Sequence, residues 1–289
     1  MAEKLLEPVA YSRLGQVGAR TPLVIAVPHA GRHYPRDLLA AARLPLEALE
    51  TIEDRHADLL IADAVHAGAV AIVARMARAF VDLNRDEREI DPTILAKAPA
   101  PGTLLPSIKV SGGLGVVPSR IAAGGQVWKC PCAAGAIEAR LALAHRPYHA
   151  AIVAALDEAH AAHGVAILLD CHSMPSIAGP APGLGPQIVI GDRHGRSAAA
   201  RFVGVAARTA RLTGLRVALN SPYAGGHTLD RHGRPKAGRH AMQIEIDRAL
   251  YLDETQRDPG PGLAMARRTL ASIAAALIDE AGGHAIAAE

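Results

Sequence analysis

The chain has 289 residues, enough to bury a sizeable core. Half of the residues are hydrophobic but only 3% are aromatic, so the core is expected to be Ala, Val, Leu and Ile, which suits buried strands under helices. A formal charge of +3, with Arg scattered among acids and no basic run, argues against a nucleic-acid partner.

The first residues, MAEKLLEPVAYSRL, carry Glu3 and Glu7 and lack the apolar centre of a secretory signal. No stretch approaches the roughly 18 apolar residues of a membrane span. Three cysteines, an odd number, give no disulfide framework. The expectation is a cytoplasmic protein without a membrane partner.

The apolar run 23–27 predicts a strand that enters the turn P-H-A-G at 28–31. Over 46–66, Leu49, Ile52, Leu59, Leu60 and Ala64 recur at helical spacing and Gly68 closes the segment. Strands are expected at 70–73 and 80–83. The segment 91–132 contains P-A-P-G, S-G-G-L-G and A-A-G-G and has little periodicity. So long an irregular stretch predicts a functional loop, here one that covers a cleft and sets specificity. An Ala-rich helix over 133–163 is expected to break near Pro147. Then come a strand at 165–169, a Gly/Pro loop at 179–186, a strand at 188–190, a helix at 196–212 closed by Gly214, strands at 216–219 and 242–246, and a last helix at 261–281. Strands alternating with helices predict one α/β domain over 1–289, its largely parallel sheet covered on both faces.

In such sheets ligands gather where strands end. The predicted strands end at His29, at Asp82-Leu83-Asn84-Arg85-Asp86, at Asp170-Cys171-His172, at Asp192 and at Asn220, and the last carries Glu245 and Asp247. A single strand-end histidine is ordinarily a surface group; two in equivalent positions suggest a shared ligand. A catalytic zinc needs three protein ligands and an open position, and His29 and His172 would supply two. Asp58 is the first choice for the third. Asp54 lies four residues earlier on the same predicted helical face and, with Glu53, is the alternative. Asp170, two residues before His172 on one strand face, is placed to orient an imidazole.

Other chemistries lack support. H-E-x-x-H, G-x-S-x-G and the phosphate-loop patterns are absent. Cys171 and Ser173 alternate with His172 and should point to the opposite face. Cys130-Pro131-Cys132 is tighter than a zinc knuckle and has no second pair. His160, His163 and most other histidines read as surface groups.

The blocks V-P-H-A-G (27–31), E-D-R-H-A-D (53–58), F-V-D-L-N-R-D (80–86), L-L-D-C-H-S (168–173), N-S-P-Y-A-G-G-H-T (220–228) and G-R-H-A-M-Q-I-E-I (238–246) resemble, in order, those of the N-formylglutamate amidohydrolases. The resemblance spans 23 to about 254. It implies a three-layer α/β sandwich with a mixed, mostly parallel sheet, related to zinc carboxypeptidases and aspartoacylases. It also implies hydrolysis of the N-acyl amide of an acidic amino acid, most simply N-formyl-L-glutamate in histidine catabolism, with Zn2+ or another divalent ion as cofactor.

On the matching positions the resemblance puts metal ligands at His29, Asp58 and His172 and a catalytic acid at Glu245. D-L-N-R is similar to a carboxylate-gripping segment, which gives Asn84 and Arg85 a substrate role. His240 and Arg239 are candidates to stabilise an oxyanion. Gly225, Gly226 and His227 would line the acyl pocket. Arg55, His56 and His227 stand where histidine-pathway members often carry aromatics. The alternatives are therefore an aminoacylase or carboxypeptidase-like enzyme for another N-acyl amino acid, or a metal- or anion-binding protein without turnover.

Overall fold

The computed structural model describes residues 9–285, except 123, 180 and 182. The expectation about the N-terminal segment rests largely on residues 1–8, which lie outside the described residues.

Seven strands form one sheet: β1 (Tyr11–Leu14), β2 (Leu23–Val27), β3 (Val70–Ala74), β4 (Ala166–Met174), β5 (Ile188–Gly191), β6 (Val217–Leu219) and β7 (Arg239–Asp247). Their order is β1-β3-β2-β4-β7-β5-β6. The central strands β3, β2, β4 and β7 are parallel. The edge strand β1 is antiparallel to β3. At the other edge β5 runs antiparallel to β7, and β6 follows β5. The sheet is thus mixed and mostly parallel.

Every residue of β2 and β4 is buried, which requires cover on both faces. On one face Val24, Ala26, Ala166, Leu168 and Ala241 share a core with Tyr148, Ile152 and Leu156 of helix α1 (Arg146–His163). On the other, Ile25, Ile167, Leu169, Cys171, Met242 and Ile244 share a core with α2 (Ala200–Leu212) and α3 (Leu263–Ala285). This is the expected three-layer sandwich. Alternation along a strand decides the face of each side chain, and it places Cys171 in the second core as expected.

The departures from expectation concern the site. β4 does not stop at Leu169 but runs through Asp170 and His172 to Met174, paired with β7 throughout. The predicted strand at 80–83 is instead a turn, because Phe80 N–H bonds back to Ala77 O and Asp82 N–H reaches Val116 O. The predicted helix 46–66 is broken into Leu46–Leu49, a tight turn Glu50–Ile52, Ala57–Leu60 and Ala62–His66. Its break is at Glu53–His56, where Asp54 N–H bonds to His29 O and His56 takes a left-handed φ of 60°.

The Ala-rich helix widens by one π-type turn at Leu141–His145 before α1 begins. Pro147 has no N–H to offer the preceding turn, so a wider turn is tolerated there. The segment 91–132 carries Pro92–Ile94, Ile108–Ser111 and a two-stranded ribbon of Arg120–Ile121 with Gly125–Gln126. Val116, Val117, Ile121, Val127 and Trp128 anchor it in the first core. Among the described residues no helix is long and apolar enough to cross a membrane.

Cys171 is fully buried and its thiol is pushed well above the ordinary range by burial, whereas Cys130 is exposed. A thiol reagent at pH 8 is therefore expected to modify Cys130 rapidly and Cys171 only after unfolding. Mapping of the modified peptides checks this, and rapid native modification of Cys171 would contradict the assigned strand face.

Candidate active site

The face of β4 that starts apolar, Ala166 and Leu168, turns polar at Asp170 and His172. On β7 the same face passes from Ala241 to Gln243 and Glu245. The register joins Asp170 to Gln243 and His172 to Glu245. Four polar side chains thus stand side by side where the cover of α1 ends. His172, Gln243 and Glu245 open on a cleft of about 730 Å³ that also reaches His29, Asp54, Arg78, Asn84, Arg85, Arg248 and the stretch Pro222–His227, with Asp170 buried behind His172.

Its centre is Asp54. His172 Nδ1 lies 3.0 Å and His29 Nδ1 3.3 Å from Asp54 Oδ2. The far nitrogen of each ring is backed by a second carboxylate: His29 Nε2–H donates to Asp82 Oδ1 at 2.7 Å, and His172 Nε2–H to Asp170 Oδ2 at 3.0 Å. Each imidazole is thereby oriented with Nδ1 towards the same point. The rings meet edge to face with centroids 4.8 Å apart. Although close to Asp54, His29 Nδ1 makes no hydrogen bond.

The charges follow. Burial opposes the ionised forms, yet the hydrogen bond from His172 and the nearby His29 ring hold Asp54 well below the usual carboxylate range. Burial likewise disfavours charge on His172, but Asp170 and Asp54 outweigh it and raise its pKa well above normal. Asp82 is also buried and is held low by Arg78 and Arg85. Arg78 Nε donates to Asp82 Oδ2 at 2.9 Å. Arg248 donates to Glu53 O at 2.6 Å and to Ser173 Oγ at 3.1 Å, and stands 3.3 Å from Asp54 Oδ1. Ligand atoms of His29, Asp54 and His172 all lie within 4.8 Å of one another and could hold a metal ion. Oxygen and imidazole donors with carboxylates behind the rings suit a divalent ion such as zinc.

Glu245 is the exception among these acids. Gln243 Nε2–H donates to its Oε1 at 2.6 Å, but burial dominates and pushes it up to about 7. It is the one carboxylate of the group poised to exchange a proton near neutrality.

Residues 21–252 match the family described as N-formylglutamate amidohydrolase. The chain belongs to the N-formylglutamate amidohydrolase family. The N-formylglutamate deformylase of Pseudomonas putida is 31% identical over 249 residues, 82% of this chain and 84% of that protein. That of Pseudomonas aeruginosa is 30% identical over 244 residues, 81% of this chain and 84% of the relative. The crystal structure of N-formylglutamate amidohydrolase from Ralstonia eutropha JMP134 superposes with a TM-score of 0.84 at 32% identity, covering 93% of this chain and 97% of that one.

Within this amidohydrolase fold the residues named from sequence divide into two groups. His29, His172, Asp170, Asn84, Arg85, Gly225, Gly226, His227 and Glu245 come together in or beside the cleft. Three do not. Asp58 lies one turn past the break in its helix and pairs with Arg32 at the surface, 3.2 Å away. Asp54, the alternative to Asp58 as third ligand, takes the central place, because the left-handed His56 ends the common helical face that the two acids were expected to share. Glu53 turns away and accepts from Tyr34 OH at 2.5 Å.

His240 stands five residues before Glu245, an odd number, so it faces the opposite layer. There it packs on Phe202 with centroids 4.7 Å apart, and its Nδ1 accepts from Ala199 N–H. Arg239 has the correct parity but lies at the start of the strand, paired with Asp157. Neither lines the cleft.

Sequence reasoning missed Arg78, Gln243 and Arg248, and named Asp82 as a strand-end acid without its role behind His29. Parity with Glu245 was a usable signal for Gln243; nothing local marks Arg78 or Arg248.

Asn84 and Gly226 illustrate the tightness of the wall. Asn84 Oδ1 accepts Thr228 N–H at 2.9 Å and lies against Gly226, where any Cβ would overlap it. Its Nδ2 donates to Gln243 Oε1 at 3.4 Å. Arg85 is held by Leu114 O at 2.8 Å and Asn84 O at 2.6 Å, so its planar group is fixed beside the cleft.

Two outcomes are expected. Gly226→Ala should displace Asn84 and lower catalytic efficiency at least tenfold with little change in melting temperature; wild-type kinetics would refute the close approach. Glu245 has a folded pKa above its unfolded value, so its contribution to stability is present at pH 4 and lost as pH rises through about 7. In metal-free protein Glu245→Gln should therefore melt higher than the parent at pH 8, with the difference shrinking towards pH 5. A constant difference across that range would remove burial as the cause.

Proposed function

We propose that this chain hydrolyses the formyl amide of N-formyl-L-glutamate to formate and L-glutamate, using a divalent ion, most simply Zn2+, held by His29, Asp54 and His172. The observation that carries this reading is the convergence of two carboxylate-backed imidazoles on Asp54, with Glu245 on the neighbouring strand. The relatives named deformylases, about 30% identical over most of their length, support the choice of acyl group and amino acid.

A divalent ion bound there would polarise the amide carbonyl and lower the pKa of a water to about 7. The protein supplies the rest. Glu245, pushed up to about 7, accepts a proton from the attacking water and passes it to the departing amine. Asp82 and Asp170 keep the two rings in one orientation. Arg78, Arg85 and Arg248 give the cleft the positive lining that a substrate with two carboxylates requires, and Arg85 offers a planar fork. Gly225, Gly226 and His227 line the wall next to Asn84.

Leu105, Ser107, Ile108, Lys109 and Leu114, from the 91–132 segment, close one side of the cleft, which supports a role for this segment in specificity. A cleft of about 730 Å³ also leaves room for a longer acyl group. A panel of N-formyl, N-acetyl and peptidyl glutamates separates the two readings.

Formate release from N-formylglutamate should be lost on chelation and restored by Zn2+. Asp54→Ala and His172→Ala should abolish it, and Glu245→Gln should lower it about 10²–10⁴-fold with folding intact. Asp58→Ala and His240→Ala should stay within a few-fold of the parent. Normal turnover in Glu245→Gln, or loss in Asp58→Ala with Asp54→Ala active, would overturn the assignment.

A further inference from the structure

A second group of imidazoles, buried except for the partly buried His227, lies in and behind the wall of the cleft. His145 sits in the wide turn before α1, and His149 lies on α1 itself. His227 and His232 begin and end the short helix His227–His232. The rings of His145 and His149 have centroids 4.5 Å apart, and those of His149 and His227 5.5 Å. One nitrogen from each of His145, His149 and His227 lies within 4.8 Å of the others.

How these rings spend their N–H groups is informative. His145 Nε2–H donates to Arg85 O at 2.9 Å, and His149 Nε2–H donates to Leu83 O at 2.9 Å. A neutral ring has one N–H, so both carry their lone pair on Nδ1. His227 turns Nδ1 towards the Asp86 carboxylate, 4.0 Å away and beyond hydrogen-bond reach. Both His145 Nδ1 and His227 Nε2 are buried and have no hydrogen-bond partner among the described residues. Glu87 Oε1 stands 3.6 Å from His145 Nδ1, beyond hydrogen-bond reach.

An imidazole that gives its far N–H to a carbonyl, as His145 and His149 do, is held in one tautomer with its other nitrogen placed to act as a metal ligand. Burial also disfavours the charged form of all three rings, with Arg231 adding to its effect. No proton then has to leave before an ion binds.

We propose that His145, His149 and His227 form a second metal site, for a divalent transition ion that favours imidazole, such as Zn2+, Co2+, Ni2+ or Cu2+. Glu87 is near enough to add a carboxylate. His232 Nε2 lies 2.9 Å from His149 Nδ1, so an incoming ion displaces one hydrogen bond. Access is from the cleft, where His227 forms part of the wall. The carbonyls that hold the rings belong to Leu83 and Arg85, on either side of Asn84. An ion here would brace the segment that presents Asn84 and Arg85.

The test is a count of Co2+ ions per chain on the full-length protein, stripped by chelator, reloaded with excess Co2+ and freed of unbound metal. His172→Ala, which removes a ligand from the His29–Asp54–His172 group, is expected to keep one Co2+. Adding His227→Phe should reduce that to none, with at least a 100-fold loss of Co2+ affinity by calorimetry. His227→Phe alone should keep one. If the first group binds no ion, the parent holds one Co2+ that survives His172→Ala and is lost with His227→Phe, so the two assignments fail separately. Circular dichroism reports folding, and the smaller His227→Asn substitution asks the same question if the phenylalanine does not fit. A His172→Ala protein without Co2+, or a folded His227 variant that binds with unchanged number and affinity, overturns the second site.

Discussion

The site is organised by one buried carboxylate. Asp54 is almost wholly shielded from solvent, and a lone charge there would cost far more than the fold could bear. It is tolerated because two imidazoles face it and Arg248 stands at its other oxygen. Each imidazole in turn needs a partner for its far nitrogen, which Asp82 and Asp170 provide. Asp82 then needs Arg78 and Arg85. The network propagates outward until it reaches groups with access to the cleft. Removing one member leaves its neighbour uncompensated, so the orientation of the rings is enforced by electrostatic necessity as well as by packing.

Glu245 stands beside this balanced set without a cation of its own, and its pKa rises as a result. The same burial that makes Asp54 depend on two imidazoles makes Glu245 reluctant to ionise. One local environment thus produces a permanently charged acid and an acid that titrates near neutrality, differing in which partners reach them. That division suits a hydrolytic site, where ligand and proton carrier need opposite properties. The neutral imidazoles behind the wall extend the logic: hydrogen bonds to backbone carbonyls fix their tautomers while linking them to the segment that carries Asn84 and Arg85.

Much of the fold was legible because it depends on short-range pattern. Apolar runs marked β2, β3 and the start of β4, and glycines after helices marked their ends. The continuation of β4 through Asp170 and His172 was not legible, since polar residues usually end a buried strand. Here each polar side chain finds a buried partner, so the ladder continues. The 80–83 segment looked like a strand because it is apolar, but the N–H groups of Phe80, Val81 and Asp82 are claimed by Ala77 and Val116 rather than by the sheet.

From the sequence alone came the family, the three-layer architecture, the two strand-end histidines, the acid on the last strand and the exclusion of Cys171 by alternation. Strand parity could also have excluded His240, since an odd spacing from Glu245 cannot share its face. The tertiary structure alone decided between Asp54 and Asp58. Helical spacing made them equivalent, and only a contact with the distant His29 carbonyl, together with the left-handed turn at His56, breaks the helix and carries one acid inward while leaving the other with Arg32. Arg78, Arg248 and the clustering of His145 and His149 with His227 were invisible for the same reason: their meaning lies in what folding brings near them, and no local pattern encodes it.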